Sequence, residues 1–287
     1  MKIAAIQMVS TPRLADNLAI AVRLIRQAAA DGARLVALPE YFCLMGHSDR
    51  DKLTIAEAAG NGPIQQTLSD LAAELRLWLI GGTLPVHCEA RADEIGERVT
   101  NSCFVYGPDG RQIARYDKIH LFRYDAGQEH YDEARVLRAG DHPVATTLEA
   151  PGERALRLGL SVCYDLRFPE LYRALSFMPG APPCDLISVP SAFTYNTGKV
   201  HWEVLLRARA IENQCFVIAP AQGGIHENRR RTWGHSLIVD PWGEILALKP
   251  EGEGVVSAML DFGRLDAVRQ QLPALSHVRQ FGHNLPA

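Results

Sequence analysis

Short apolar runs with almost no polar alternation recur along this chain, and they constrain its fold more than any other feature. Residues 2–8, 34–38, 77–81, 156–162, 185–189 and 215–219 would each carry apolar side chains on both faces of an extended backbone. Strands of that kind need cover on both sides, as in sheets held between other layers. Helical spacing fills the gaps between them. Residues 17–30 put Leu18, Val22, Ile25 and Ala29 on one side, and Asp31-Gly32 then stops the helix. Residues 65–75, 169–177 (with Pro169 in the first turn) and 199–214 read the same way. The alternation gives an α/β class.

Two hairpins interrupt this pattern, so the sheets are mixed. Residues 99–106 and 111–116 flank Gly107-Pro108-Asp109-Gly110, and Pro241-Trp242-Gly243 turns residues 235–239 into 244–248. Residues 122–143 are polar and read as one long loop; loops of that length inside a domain usually serve function. Without repeats or a flexible linker, residues 1–287 read as a single domain. Residues 265–287, polar and interrupted by proline, read as a tail that contacts a partner subunit.

Composition excludes several classes. A net charge of −3 gives no basic face for nucleic acid, and no apolar stretch is long enough to cross a bilayer. Arg229, Arg230 and Arg231 form the one basic cluster. It reads as a solvated loop or as a rim that attracts anionic substrates. The first residues run straight into a strand and carry no signal-peptide pattern. The six cysteines show no CxxC pair and no zinc spacing, so reduced thiols and a cytoplasmic location are expected. No phosphate loop or dinucleotide fingerprint is present, and neither cofactor nor metal is expected.

Three chemically capable residues sit where strands end: Glu40 after Leu38-Pro39, Lys118 after Tyr116-Asp117, and Cys163 after Ser161-Val162. Ligands in open α/β sheets bind beyond strand ends. Taken singly, each has a plain alternative: a helix-capping carboxylate, an exposed hairpin charge, a small buried hydrophobe. Context favours chemistry. Cys163-Tyr164-Asp165-Leu166-Arg167-Phe168-Pro169-Glu170 reads as strand, tight elbow and helix, which exposes a nucleophile and gathers backbone N–H groups beside it. A thiol needs a base or a positive field to react. Glu40 would supply the first and Lys118 the second. A cysteine–histidine pair using His120, His201 or His235 is the rival arrangement.

These motifs, Leu38-Pro39-Glu40-Tyr41, Tyr116-Asp117-Lys118-Ile119-His120-Leu121-Phe122 and the cysteine segment, resemble those of the nitrilase or carbon–nitrogen hydrolase superfamily, in the same order and across nearly the whole chain. The resemblance implies a four-layer α-β-β-α sandwich assembled as a homodimer or larger. It implies a catalytic set of Glu40 as proton acceptor, Lys118 as oxyanion stabiliser and Cys163 as nucleophile. A supporting second glutamate matches Glu133, with Glu129 as the competing placement. None of the three histidines is then a base. The Tyr164-Asp165 pair after the cysteine is similar to amidase branches, where nitrile hydrolysers carry Trp-Glu. Residues 201–215 and 234–243 look like the branch that hydrolyses deaminated glutathione, with ω-amidases acting on α-ketoglutaramate or α-ketosuccinamate as near relatives. The implied reaction converts a small, anionic carboxamide to an acid through a cysteine thioester, with release of ammonia. A non-catalytic scaffold and an N-acyl transferase on the same fold are the other readings. For substrate contacts the sequence offers the Tyr164 N–H, Arg167, Arg173, Arg207 and Arg209, and Phe193, Thr194, Tyr195 and Asn196 past another strand end.

Overall fold

The computed structural model describes residues 1–89, 96–126, 129–149, 152 and 154–279. Two sheets lie face to face. In spatial order the first runs Gly254–Met259, Lys2–Gln7, Leu35–Ala37, Trp78–Ile80, Val99–Tyr106 and Leu84–His87, with Gln112–Asp117 and Leu137–Arg138 also paired to Val99–Tyr106. The second runs Val144–Leu148, Leu156–Leu160, Leu186–Ser188, Phe216–Ala219, Ser236–Val239 and Ile245–Lys249.

Side chains alternate across a strand, so one apolar run feeds two cores. Ile3 and Ala5 join the core between the sheets, whereas Ala4 and Ile6 pack beneath helices Leu14–Ala30 and Pro63–Leu75. Helices Pro169–Ser176 and Tyr195–Asn213 cover the second sheet. The result is the four-layer α-β-β-α sandwich.

Both sheets have a parallel centre. Leu35–Ala37 runs parallel to both its neighbours, and so does Leu186–Ser188 between Leu156–Leu160 and Phe216–Ala219. Parallel strands deliver their carboxyl ends to one edge, which is how residues distant in sequence come to share a site.

Several segments differ from the sequence reading. Residues 122–143 are not one loop: Arg123–Ala126 pairs with Glu129–Asp132, and Leu137–Arg138 adds to Val99 and Thr100 of the first sheet (residues 127–128 lie outside the described residues). Strand Gly254–Met259 pairs along the whole of Lys2–Gln7. Helix Phe262–Gln271 follows it and buries Leu265 and Val268 in this chain's own core. The expected tail is therefore anchored within the subunit up to that helix; residues 280–287 lie outside the described residues. The fourth helix begins at Tyr195, not residue 199. Gly198, inside that helix, lets Trp233 approach, since a Cβ there would collide with the Trp233 side chain.

Candidate active site

Glu40, Lys118, Glu133 and Cys163 converge at one edge of the sandwich. The Lys118 ammonium donates to Glu40 Oε1 at 2.9 Å and to both Glu133 oxygens, at 3.0 and 2.8 Å. Lys118 is 0% exposed and Glu40 1%, which removes both the exposed-charge and the helix-cap alternatives. Each carboxylate is held from behind. Glu40 Oε1 accepts from Asn101 Nδ2 at 2.9 Å, and its Oε2 from the Ala192 N–H at 3.0 Å. Glu133 accepts from the Tyr41 hydroxyl at 2.8 Å and the Phe122 N–H at 2.7 Å. Glu133 thus stands at the second carboxylate position beside the lysine; the competing Glu129 side chain lies outside the described residues.

Local backbone conformation aims these groups. Cys163 has a φ of 49° at the start of the 3₁₀ turn Cys163–Arg167, and Tyr41, next to Glu40, has a φ of 55°. Left-handed conformations at non-glycine residues are costly and persist only where surrounding structure enforces them. Enforcement is visible at both. The Cys163 N–H donates to Pro190 O at 2.9 Å, and the Tyr41 N–H to Thr83 Oγ1 at 3.0 Å. Gln222 Nε2 donates to Glu40 O at 3.1 Å, tying that turn to the end of the second sheet.

Asp165, which the sequence offered as a branch marker without a role, joins the two halves of the site. Wholly buried, it accepts from the Tyr116 hydroxyl at 2.6 Å, the Val162 N–H at 2.8 Å and the His120 N–H at 3.0 Å. The His120 ring adds a contact at 2.7 Å through Nδ1 and stacks 3.6 Å from Phe168. One carboxylate therefore fixes the strand that ends at Lys118 against the elbow that carries Cys163. Its signal was in the sequence: a carboxylate two residues past the thiol, too short to reach a shared ligand. Asn101, Tyr41 and the Ala192 N–H were likewise missed, because their roles depend on pairing distant in sequence.

Electrostatics follow from two buried carboxylates meeting one ammonium. Burial alone would lower the Lys118 pKa, but the charges of Glu133 and Glu40 outweigh it and hold the lysine well above its ordinary value. Burial opposes ionisation of Glu133 too, and there the Lys118 charge and hydrogen bond win, so its pKa lies below the usual range. The Cys163 thiol moves the other way. Burial, then the Glu40 charge, push it well above its ordinary pKa, Lys118 offsets part of this, and a hydrogen bond with Glu40 keeps the proton on sulfur. At rest the thiol therefore keeps its proton.

A narrow cleft, with about 280 Å³ of empty space when open solvent is included, lies over these groups. Beyond the polar floor, its wall includes Phe122, Tyr164, Arg167, Phe193, Thr194 and Arg230. Arg167 lies over the rings of Phe193 and Tyr164, at 5.2 and 5.7 Å. Tyr195 is outside the cavity: its ring packs edge-on against Trp233, under the Arg231 guanidinium at 3.6 Å. Asn196 is exposed on the following turn. Of the four arginines offered as substrate contacts only Arg167 lines the cavity, and Arg230, from the basic cluster offered as a rim, lines it too. Arg173 donates to Glu212 O, Arg207 to Gly243 O, and Arg209 to Leu166 O and Glu212. The histidines of the rival arrangement have other partners: His120 has Asp165, His201 has Arg167, and His235 has Trp233 O. Among the described residues no three His, Cys, Asp or Glu side chains are grouped to hold a metal ion.

The chain is similar along its length to proteins already known. A deaminated glutathione amidase from Synechocystis sp. is 44% identical over 276 residues, 96% of each chain. A human omega-amidase is 36% identical over 281 residues, 97% of this chain and 95% of the relative. The crystal structure of the C. elegans NitFhit protein superposes with a TM-score of 0.81 at 36% identity; it covers 97% of this chain, which spans 65% of that longer protein. The carbon-nitrogen hydrolase family model matches residues 2–270. The chain belongs to the carbon–nitrogen hydrolase family.

Proposed function

We propose that this protein is an amidase that opens its substrate's C–N bond through a thioester on Cys163, with deaminated glutathione as substrate. The observation that supports the chemistry is the buried contact of Lys118 with Glu40 and Glu133, at the cavity that Glu40, Glu133 and Cys163 line together. Glu40 takes the thiol proton as sulfur attacks the amide carbon. That transfer neutralises Glu40 and frees the Lys118 ammonium from one of its two counter-charges just as negative charge forms on the carbonyl oxygen. Lys118 and the Tyr164 N–H, at the start of the 3₁₀ turn, hold this oxyanion; a donor so placed contributes about 10²–10³ in rate. Glu133 keeps the ammonium in position throughout. Glu40 then passes its proton to the departing amine, and it activates the water that hydrolyses the thioester.

The substrate assignment rests on the higher identity to the deaminated glutathione amidase than to the omega-amidase. Cleavage of deaminated glutathione gives α-ketoglutarate and cysteinylglycine, and ammonia arises only from primary amides such as α-ketoglutaramate. The test measures kcat/KM for both compounds, with cysteinylglycine and ammonia assayed separately. A preference for α-ketoglutaramate would make this protein an ω-amidase. No turnover of either by folded protein would leave the scaffold reading.

We further infer one hydrolase domain that pairs with a second copy. The fourth helix exposes Val200, Val204 and Ile211 beside exposed Trp242, an apolar face suited to self-association. Sedimentation that returns only the monomer mass would remove this. Among the described residues no helix is long and apolar enough to cross a membrane, and all six cysteines are free, in keeping with a cytoplasmic setting.

A further inference from the structure

A second, wider depression adjoins the cavity and shares one residue with it. This basin has an empty volume of about 1320 Å³ and is lined by Gly46 to Asp49, His130, Tyr131 and Asn228 to Arg231. Arg230 is the residue common to both. Its guanidinium lies 5.0 Å over the Tyr131 ring. Among the described residues its terminal nitrogens reach only a carbonyl, Ala192 O at 3.3 Å, and the Met45 sulfur at 3.9 Å, and its buried Nε has no partner there. An arginine whose contacts are so weak has fork positions left for an anion.

Charge in the basin is one-sided. Arg229, Arg230 and Arg231 stand against one lining carboxylate, Asp49, which is bonded to Lys52 at 2.7 Å. Arg231 is engaged with Glu251 at 3.2 Å and with the Tyr195 ring. The Arg229 side chain has no partner among the described residues, and its backbone is held in the left-handed region, φ 68°, at the tip of the turn between strands Gly223–Ile225 and Arg231–Trp233. That turn is fixed: Asn228 Nδ2 donates to Gly46 O at 2.6 Å, and His226 is bonded to Ser10 O and Thr232.

We propose that this basin is the leaving-group subsite, where Arg230, assisted by Arg229, binds a carboxylate on the departing amine. The inference rests on the amidase reading above and adds to it a class of substrate. The acyl half enters the cavity beside Arg167, and the amine half, ending in an anion, lies in the basin. A dipeptide leaving group satisfies the basin; ammonia does not reach it. Selection between a secondary amide with an anionic tail and a primary amide of the same acid is then made by Arg230. The bonds broken and formed are unchanged: the C–N bond breaks and the amine leaves with a proton from Glu40.

The test compares deaminated glutathione, its glycinamide form (which lacks the terminal carboxylate) and α-ketoglutaramate. Each is run on the wild type, Arg230→Met and Arg229→Ala. The kcat/KM ratio of deaminated glutathione to α-ketoglutaramate is expected to fall about tenfold or more in Arg230→Met, as loss of a charge-assisted hydrogen bond predicts. It should fall by a smaller factor in Arg229→Ala. The wild type should lose a similar factor on the glycinamide form, and Arg230→Met should no longer distinguish the two thiol compounds. An unchanged ratio in Arg230→Met overturns the proposal, and so does equal use of the acid and its amide by the wild type. Wild type that cleaves α-ketoglutaramate but not deaminated glutathione overturns it while leaving the amidase reading intact. Wild type that cleaves neither overturns both.

Discussion

The floor of the cavity and its mouth are built differently. Glu40, Lys118 and Cys163 follow strands of two packed sheets, and the two carboxylates that face the lysine are held by buried donors. The mouth is made by the turn at Arg229 and by the hairpin that begins at Arg123, with side chains that are half-buried or exposed. A rigid floor keeps reacting atoms within a fraction of an ångström, which the chemistry needs; a looser rim can be changed without moving them. Substitutions on the floor should therefore cost far more than those at the mouth.

The largest effect is expected at the sulfur. Cys163→Ala should lower kcat by about 10⁴-fold or more, as removal of a covalent nucleophile does elsewhere, while substrate binding persists. Residual turnover within tenfold of the wild type would end the thioester mechanism. Next comes Glu133→Gln, which keeps the shape but leaves Lys118 with a single counter-charge. A fall in kcat of about 10²–10³ with little change in KM is expected. Breaking a buried ionic contact should also cost about 3–5 kcal/mol of stability, read as a lower denaturation midpoint. A KM effect alone would make Glu133 a substrate-binding group.

The same contrast explains what was legible in the sequence. Glu40, Lys118 and Cys163 could be picked out because strand ends and tight turns have local signatures: an apolar run, then a polar residue, then proline or a helix start. The hairpin around Gly107–Gly110 was legible for the same reason. Leu137–Arg138 was not. A two-residue strand has no pattern of its own and exists through pairing to Val99 and Thr100, about forty residues away. Gly254–Met259 closes the first sheet against the chain's opening strand, which no local signal could announce. Of the cavity wall, Arg167 and Phe193 were reached by position, and Arg230 by its charge cluster, while its place beside the thiol depends on where a distant hairpin folds back.

Acid provides a way to loosen the mouth selectively. His226 ties the Arg229 turn to Ser10 and Thr232, at 2.9 and 2.8 Å, and burial lowers its pKa from 6.5 to about 4, with Arg230 adding to the shift. Above pH 6.5 the imidazole is neutral in both the folded and unfolded chain, so this residue makes no pH-dependent contribution. Below that the unfolded chain takes up a proton that the folded chain refuses. Stability should therefore decline between about pH 6.5 and 4, by up to about 3 kcal/mol from this residue. Thermal melts of the wild type and His226→Gln across that window test it. The expected outcome is a shallower pH dependence in the variant. Parallel curves would show that other groups set the acid response.

The smallest effect separates the mouth from the site itself. Tyr195 was expected near the substrate from its place past a strand end, yet its ring lies between Trp233 and the Arg231 guanidinium, outside the cavity wall. Tyr195→Leu removes a cation–π contact of about 0.5–1 kcal/mol at a half-buried position, and that loss falls on the stability of the rim. Turnover of deaminated glutathione should change by less than about threefold, since no reacting atom moves and Arg230 keeps its own support from Tyr131. A tenfold loss in kcat with an unchanged melting temperature would mean that the rim takes part in positioning the amide. The division between a rigid floor and a tolerant mouth would then be wrong at the residue where it was easiest to draw.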